Sequence, residues 1–182
     1  MLTERFGPLA FLDRSYLDRQ PAFRRWSRSS PQHVTWDEFR RLVPEDWITS
    51  AFAVVRHPLF RVVSAYHHAY VENRIPALQS IESWFDQSIT LMESDIGLFD
   101  RHLLPQVDFL PDHAEIFRLE SGLDAVSDWL EATFGVSGQG GAPHELQSGR
   151  QIKSDVVHRT PTKVSAALRN QIADHYARDF TR

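Results

Sequence analysis

The chain reads as an α/β protein, a short parallel sheet flanked by helices, and three observations predict this. Ala51–Val55 is an unbroken apolar run of strand length, the kind buried in a parallel sheet. A helical pattern follows it, from Leu59 to about Asn73. Ala114–Leu119 then reads as a second strand, followed by a helix over Leu123–Phe134 that stops at Gly135. Strand, helix, strand, helix is the order that lays parallel strands beneath helices. Two strands are few for such a sheet.

The remaining elements follow in chain order. Residues 1–32 are irregular and Arg-rich, with Arg24, Arg25 and Arg28 near Trp26. Thr35 is placed to cap a short helix through Leu42, and Glu38 sits where it completes a capping box. Pro58 suits the first position of the next helix, because its fixed φ fits and its missing N–H costs nothing there. Along that helix Val62, Tyr66 and Tyr70 form one stripe, while Arg61, Ser64 and His68 fall on another side. Residues 79–92 and 95–104 predict two further helices. A Gly-rich stretch over 137–149 predicts a flexible connection, and a last helix is expected from Lys163 to Arg178.

At 182 residues the chain is long enough for one domain with a real core, spanning 1–182. Apolar content of 42% with five Trp excludes a disordered tail. With no cysteine, neither a disulfide framework nor a thiolate metal site is possible. No apolar run approaches a membrane span and no signal peptide opens the chain, so the expectation is a soluble protein of a reducing compartment. The net charge of −4 hides a division: residues 1–42 carry eight Arg against five acids, residues 72–131 three Arg against thirteen. So acidic a middle argues against nucleic-acid binding, which needs a continuous basic face. Only Lys153 and Lys163 are lysines.

The densest chemical signal is Arg56-His57-Pro58-Leu59-Phe60-Arg61-Val62-Val63-Ser64-Ala65-Tyr66. A turn between strand and helix brings Arg56 to the positive end of the helix, where backbone N–H groups already favour an anion. Ser64 is about two turns along. A planar guanidinium and a hydroxyl converging there suit a phosphate. This R-x-P-x-x-R-x-x-S-x-Y pattern resembles the 3′-phosphate-binding motif of sulfotransferases that use PAPS (3′-phosphoadenosine 5′-phosphosulfate). It looks most like the carbohydrate-directed branch, including heparan sulfate 2-O-sulfotransferase. The resemblance implies a P-loop-like α/β fold and assigns Arg56 and Ser64 to the nucleotide's 3′-phosphate.

His33, in Pro31-Gln32-His33-Val34-Thr35, is a candidate general base, since a neutral imidazole accepts a proton at physiological pH. Its H-V-T resembles the H-V-S stretch of 2-O-sulfotransferases, which implies that His33 deprotonates the acceptor alcohol. Arg159-Thr160-Pro161-Thr162-Lys163 stands before the last helix; a hydroxyl, backbone donors and a Lys there suit an anion. Its T-x-x-K resembles the family's late nucleotide segment, implying that Thr160 and Lys163 close over PAPS. Thr160 also reads as an ordinary N-cap. His102-Leu103-Leu104-Pro105-Gln106, Ile116-Phe117-Arg118-Leu119-Glu120 and the closing Tyr176–Phe180 resemble further family landmarks and read as packing features, Glu120 and Arg118 as loop-orienting groups.

Metal binding is the other use for nine His. His67 and His68 point to different faces of a helix, and neither H-x-x-x-H nor H-E-x-x-H occurs, so no metal is expected. No G-x-x-x-x-G-K loop occurs either. Missing too is the P-K-x-G-T-[ST] loop with which the resembled family grips the 5′-phosphosulfate, and the expectation is a chain incomplete at its N-terminus. What the resemblance implies is sulfuryl transfer from PAPS to an alcohol of a carbohydrate, with activity in doubt for want of that loop; the cytoplasm is expected because neither a membrane span nor a signal peptide is read in the sequence. The alternative is a non-catalytic nucleotide-binding or interaction domain derived from such an enzyme.

Overall fold

In the computed structural model, which describes residues 2, 6, 9–13, 15–19, 21–71, 76, 79–135 and 163–181, two short strands run in parallel. β1 is Phe52–Val55 and β2 is Glu115–Arg118, with Phe52 opposite Glu115 and Val55 opposite Arg118. Side chains alternate across the pair, so Phe52, Val54 and Phe117 share a face. That face is covered by Trp129 of the helix Asp124–Phe134, whose ring lies 5.1 Å from that of Phe52 and 6.2 Å from that of Phe117. The helix stops where Gly135 takes the left-handed conformation, at φ 65°.

The strands differ from expectation in one respect. Ala51–Val55 reads as fully buried, yet Val54 is 39% exposed and its neighbours are half-buried. The deepest packing lies among helices instead. We number the six α-helices among the described residues in order: α1 Tyr16–Arg19, α2 Trp36–Phe39, α3 Pro58–Val71, α4 Ile81–Met92, α5 Asp124–Phe134 and α6 Ala166–His175. In α4, Ile81, Trp84, Phe85 and Ser88 are buried, the spacing of a single helix face. Ile81, Trp84 and Phe85 meet Val62 and Ala69 of α3, Leu168 and Ile172 of α6, and Leu103 and Tyr176. The Tyr176 hydroxyl, inside this core, donates to the Leu103 carbonyl at 2.7 Å.

Several helix limits are set by caps. Thr35 and Glu38 form the expected capping box, but the α-helix ends at Phe39 and irregular turns carry the chain to Val43. Ser80 caps α4. The last helix begins at Ala166 under a Ser165 cap, later than the sequence predicts, and gives way to a 3-10 turn over Ala177–Phe180. The predicted helix over 95–104 does not form. In its place is a short 3-10 turn, Leu98–Arg101, in which Phe99, Asp100 and Arg101 all have positive φ (49°, 53° and 64°). The predicted flexible connection over 137–149 lies outside the described residues.

Candidate functional site

Two groups of side chains lie along α3. The first is the turn from β1 into α3. Gln106 clamps the backbone of Arg56 from both sides: the Arg56 N–H donates to Gln106 Oε1 at 2.8 Å, and Gln106 Nε2 donates to the Arg56 carbonyl at 2.7 Å. Gln106 is fixed in turn by Asp179, whose carboxylate accepts from the backbone N–H groups of Gln106 and Val107, both at 3.0 Å. Next along, the His57 N–H donates to Glu120 Oε1 at 2.8 Å, the loop-orienting role expected of Glu120. His57 Nδ1 accepts from the Leu59 N–H at 3.2 Å, so an imidazole caps a helix that opens on Pro58. The Arg56 backbone is thus fully held, while its half-buried guanidinium makes no ion pair or hydrogen bond to a described residue.

Ser64 lies two turns along α3, half-buried, on the face that also carries Arg61 and His68. That face is turned toward the chain from Asp100 to Gln106. Arg61, predicted on a polar side, is largely enclosed there, donating to the Leu104 carbonyl with its guanidinium 6.0 Å from the centre of the Tyr176 ring. The His68 ring lies 5.4 Å from that of His102.

His102 leads to the second group. Its ring stands edge-on to His33 at 4.8 Å. His33 Nδ1 lies 2.8 Å from Asp100 Oδ2. Ser30 completes the arrangement: its N–H donates to Asp100 Oδ1 at 2.6 Å, and its hydroxyl donates to Oδ2 and lies 3.0 Å from His33 Nδ1. Burial alone would raise the Asp100 pKa, but hydrogen bonds from His33 and Ser30 outweigh it and hold the carboxyl at about 2. An ionised carboxylate only accepts, so the Nδ1 of His33 carries the hydrogen, and in the neutral ring Nε2 is the bare nitrogen. Burial first, then the neighbouring His33 and His68, push His102 down to about 4, so that ring is neutral at physiological pH.

Local sequence explains how these groups meet. Ser27 and Ser29 wind the segment before His33: the Ser27 N–H donates to the Tyr16 hydroxyl at 3.1 Å, and the Ser29 hydroxyl to the His33 carbonyl at 3.1 Å. Gly97 lets this segment approach, since a Cβ there would stand 3.2 Å from the Arg28 carbonyl oxygen and 3.3 Å from its Cβ. Beyond it the left-handed run turns Asp100 toward His33 and sends Arg101 the other way. Arg101 is 3% exposed; it pairs with both carboxylate oxygens of Glu38 and reaches the His33 carbonyl at 3.3 Å. The Arg101 hydrogen bond, more than any other cause, holds the Glu38 carboxyl below its usual range.

Of the five residues singled out in the sequence, the structure therefore brings His33 into a half-buried polar cluster and holds Arg56 just before α3 and Ser64 in its middle. Lys163 is exposed, just before the Ser165 cap of α6. Thr160 lies outside the described residues; Ser165 caps α6. Asp100, Ser30 and His102 escape sequence reasoning as functional residues, because His102 reads as packing and Asp100 as part of a helix. The available signal is Asp100-Arg101-His102 itself, three polar residues in succession inside an apolar stretch. His33, Asp100 and His102 offer ligand atoms within 4.8 Å of one another, a set that could hold a metal ion. The 2.8 Å contact between His33 and Asp100 already satisfies two of its members.

The described residues thus combine a parallel strand pair, an arginine turn before α3, and a histidine–carboxylate pair linked through His102 to His68 in the last turn of that helix. The chain belongs to the sulfotransferase family, whose model matches residues 5–182. Comparison with curated proteins and with solved structures gives no significant match. Among the described residues no helix is long and apolar enough to cross a membrane.

Proposed function

We propose that this sulfotransferase-family chain binds PAPS and directs its sulfuryl group to an alcohol, with a carbohydrate as the acceptor class. The observation that carries this reading is the His33–Asp100 pair, which leaves His33 Nε2 as the proton acceptor. In the transfer, the acceptor oxygen attacks sulfur in line with the departing phosphate oxygen. Its proton passes to His33 Nε2, and the electrons of the breaking sulfur–oxygen bond leave with adenosine 3′,5′-bisphosphate. Asp100 stabilises the imidazolium that results. Arg56 and Ser64 hold the 3′-phosphate, and Thr160 with Lys163 closes on the nucleotide from the segment before α6. Holding donor and acceptor in line supplies much of the acceleration.

A second reading has one observation in its favour. The sequence contains no P-K-x-G-T segment and no Lys before Lys153, so it shows no resemblance to the loop that stabilises the leaving 5′-phosphate. Losing a single donor of that kind costs about 3–4 kcal/mol of transition-state stabilisation. On this reading the chain binds the nucleotide without turning it over.

Calorimetry with adenosine 3′,5′-bisphosphate and with ADP tests the nucleotide site that both readings share. Tighter binding of the 3′-phosphorylated nucleotide by about 1.5–3 kcal/mol is expected from the charge-assisted Arg56 contact. Equal affinity would reject the assignment. A labelled-PAPS transfer assay then separates the enzyme from the binding domain.

A further inference from the structure

Beside Arg101 lies a pocket open to solvent, of about 340 Å³, whose wall includes Trp26, Arg28, Glu38, Arg41, Leu42 and Arg101. That volume suits a small ligand. Three cations face one carboxylate, and that carboxylate is committed: Glu38 receives both terminal nitrogens of Arg101. The guanidinium groups of Arg28 and Arg41 make no ion pair or hydrogen bond to a described residue. The Nε of Arg101, deeply buried, has no acceptor among them either. A surplus of donors and positive charge is left around one cavity.

Its remaining wall is apolar and ring-shaped. The Trp26 indole is 53% exposed yet fixed, with Phe11 and Tyr16 packed edge-on against it at 6.1 and 6.0 Å. Leu42 is 52% exposed on the same cavity. A rigid aromatic face beside unpaired guanidinium groups accepts a ring with an anionic substituent: the ring lies on the apolar wall and the anion takes the fork of donors.

We propose that this cavity is a binding site for a small ring compound bearing a carboxylate or sulfate group, separate from the nucleotide turn at Arg56. Arg28 and Arg41 hold the anion; Trp26 and Leu42 carry the ring. Because Arg101 also touches the His33 carbonyl, a ligand here sits next to the segment that carries the base. Binding here stands apart from the transfer reading, since the His33 imidazole is not on the cavity wall.

The test is calorimetry with phenyl sulfate as the anionic ring, phenol as its neutral counterpart and inorganic sulfate as the anion alone. Wild-type protein is compared with the double variant Arg28→Ala, Arg41→Ala, in which both altered side chains are exposed. Phenyl sulfate is expected to bind saturably, at least tenfold tighter than phenol or sulfate, and at least tenfold weaker in the double variant. Adenosine 3′,5′-bisphosphate, titrated in parallel, is expected to bind both proteins equally. Unsaturable binding of phenyl sulfate, or equal binding by the two proteins, overturns the proposal. If phenyl sulfate binds as expected while the bisphosphate fails to bind, the cavity stands and the transfer reading falls.

Discussion

The Asp100 carboxylate reaches His33 Nδ1, at 2.8 Å, from the middle of three consecutive residues in left-handed backbone conformation. For residues with a Cβ that conformation costs about 1–2 kcal/mol each, and it persists only where the surroundings over-determine it. They do so on both sides. Ser30 holds Asp100, and Glu38 holds Arg101. The fold therefore gives up stability to fix one imidazole.

Replacing Asp100 by Asn tests that relationship. The amide keeps the shape but donates through nitrogen, which moves the imidazole hydrogen to Nε2 and removes the base. Nitrogen-15 NMR of His33 should report the switched tautomer. Transfer from labelled PAPS should fall by roughly 10²–10⁴, the usual contribution of a general base, with nucleotide affinity unchanged. An unaltered tautomer together with unaltered transfer would remove Asp100 from its positioning role.

Arg56→Ala should weaken adenosine 3′,5′-bisphosphate binding by about 1.5–3 kcal/mol, the loss of a charge-assisted contact. His33→Ala should leave that affinity nearly unchanged, because a base faces the acceptor. The two titrations are run side by side with circular dichroism on each variant. Equal losses in two folded variants would mean that His33 is not primarily a base.

His102 makes stability depend on pH. Its folded pKa, about 4, is below the unfolded value of 6.5, so the unfolded chain binds the extra proton first. The contribution is fully present above pH 6.5 and is lost progressively as pH falls toward 4, up to about 3 kcal/mol less an allowance for partial solvation. Urea midpoints at pH 7.5 and pH 5 should differ in wild-type protein and differ less in His102→Phe, where the lowered pKa of half-buried His175 still contributes. A variant with the wild-type slope would place the pH dependence elsewhere.

Breaking the Arg101–Glu38 pair from one side should be costly. Arg101→Met leaves the Glu38 carboxylate without its main partner; that side chain is 38% exposed and water partly replaces the lost bonds, so about 1.5–3 kcal/mol of stability is expected to go, read as a lowered urea midpoint. Adding Glu38→Gln should recover part of that loss, since an uncharged amide tolerates the apolar thioether beside it while still serving the Thr35 cap. A double variant no more stable than the single one would show that the pairing with Glu38 is not what Arg101 supplies.

Much of this architecture is legible in the sequence. Thr35 and Glu38 announce their capping box because such a cap depends on four adjacent residues. β1, β2 and the helix after each fall within one or two residues of their predicted places, since apolar runs, Pro58 and Gly135 act locally. Residues 95–104 mislead for the same reason. Their composition suits a helix, and only the contacts of Ser30 and Glu38, more than sixty residues away, hold Phe99, Asp100 and Arg101 in a conformation their own side chains disfavour.

The sequence by itself determined the α/β class, the arginine turn before α3, and His33 as a candidate base, each of them a matter of residue type and short spacing. It determined the resemblance to sulfotransferases by the same means, and the family match over residues 5–182 agrees with it at the level of the family. The tertiary structure alone decided which carboxylate serves His33, which glutamine clamps Arg56, and where Arg101 leaves unpaired donors beside Trp26. These pairings span fifty to seventy residues of chain. No local propensity encodes them; they follow from how α3, α4 and α6 pack and from the loops that packing brings together.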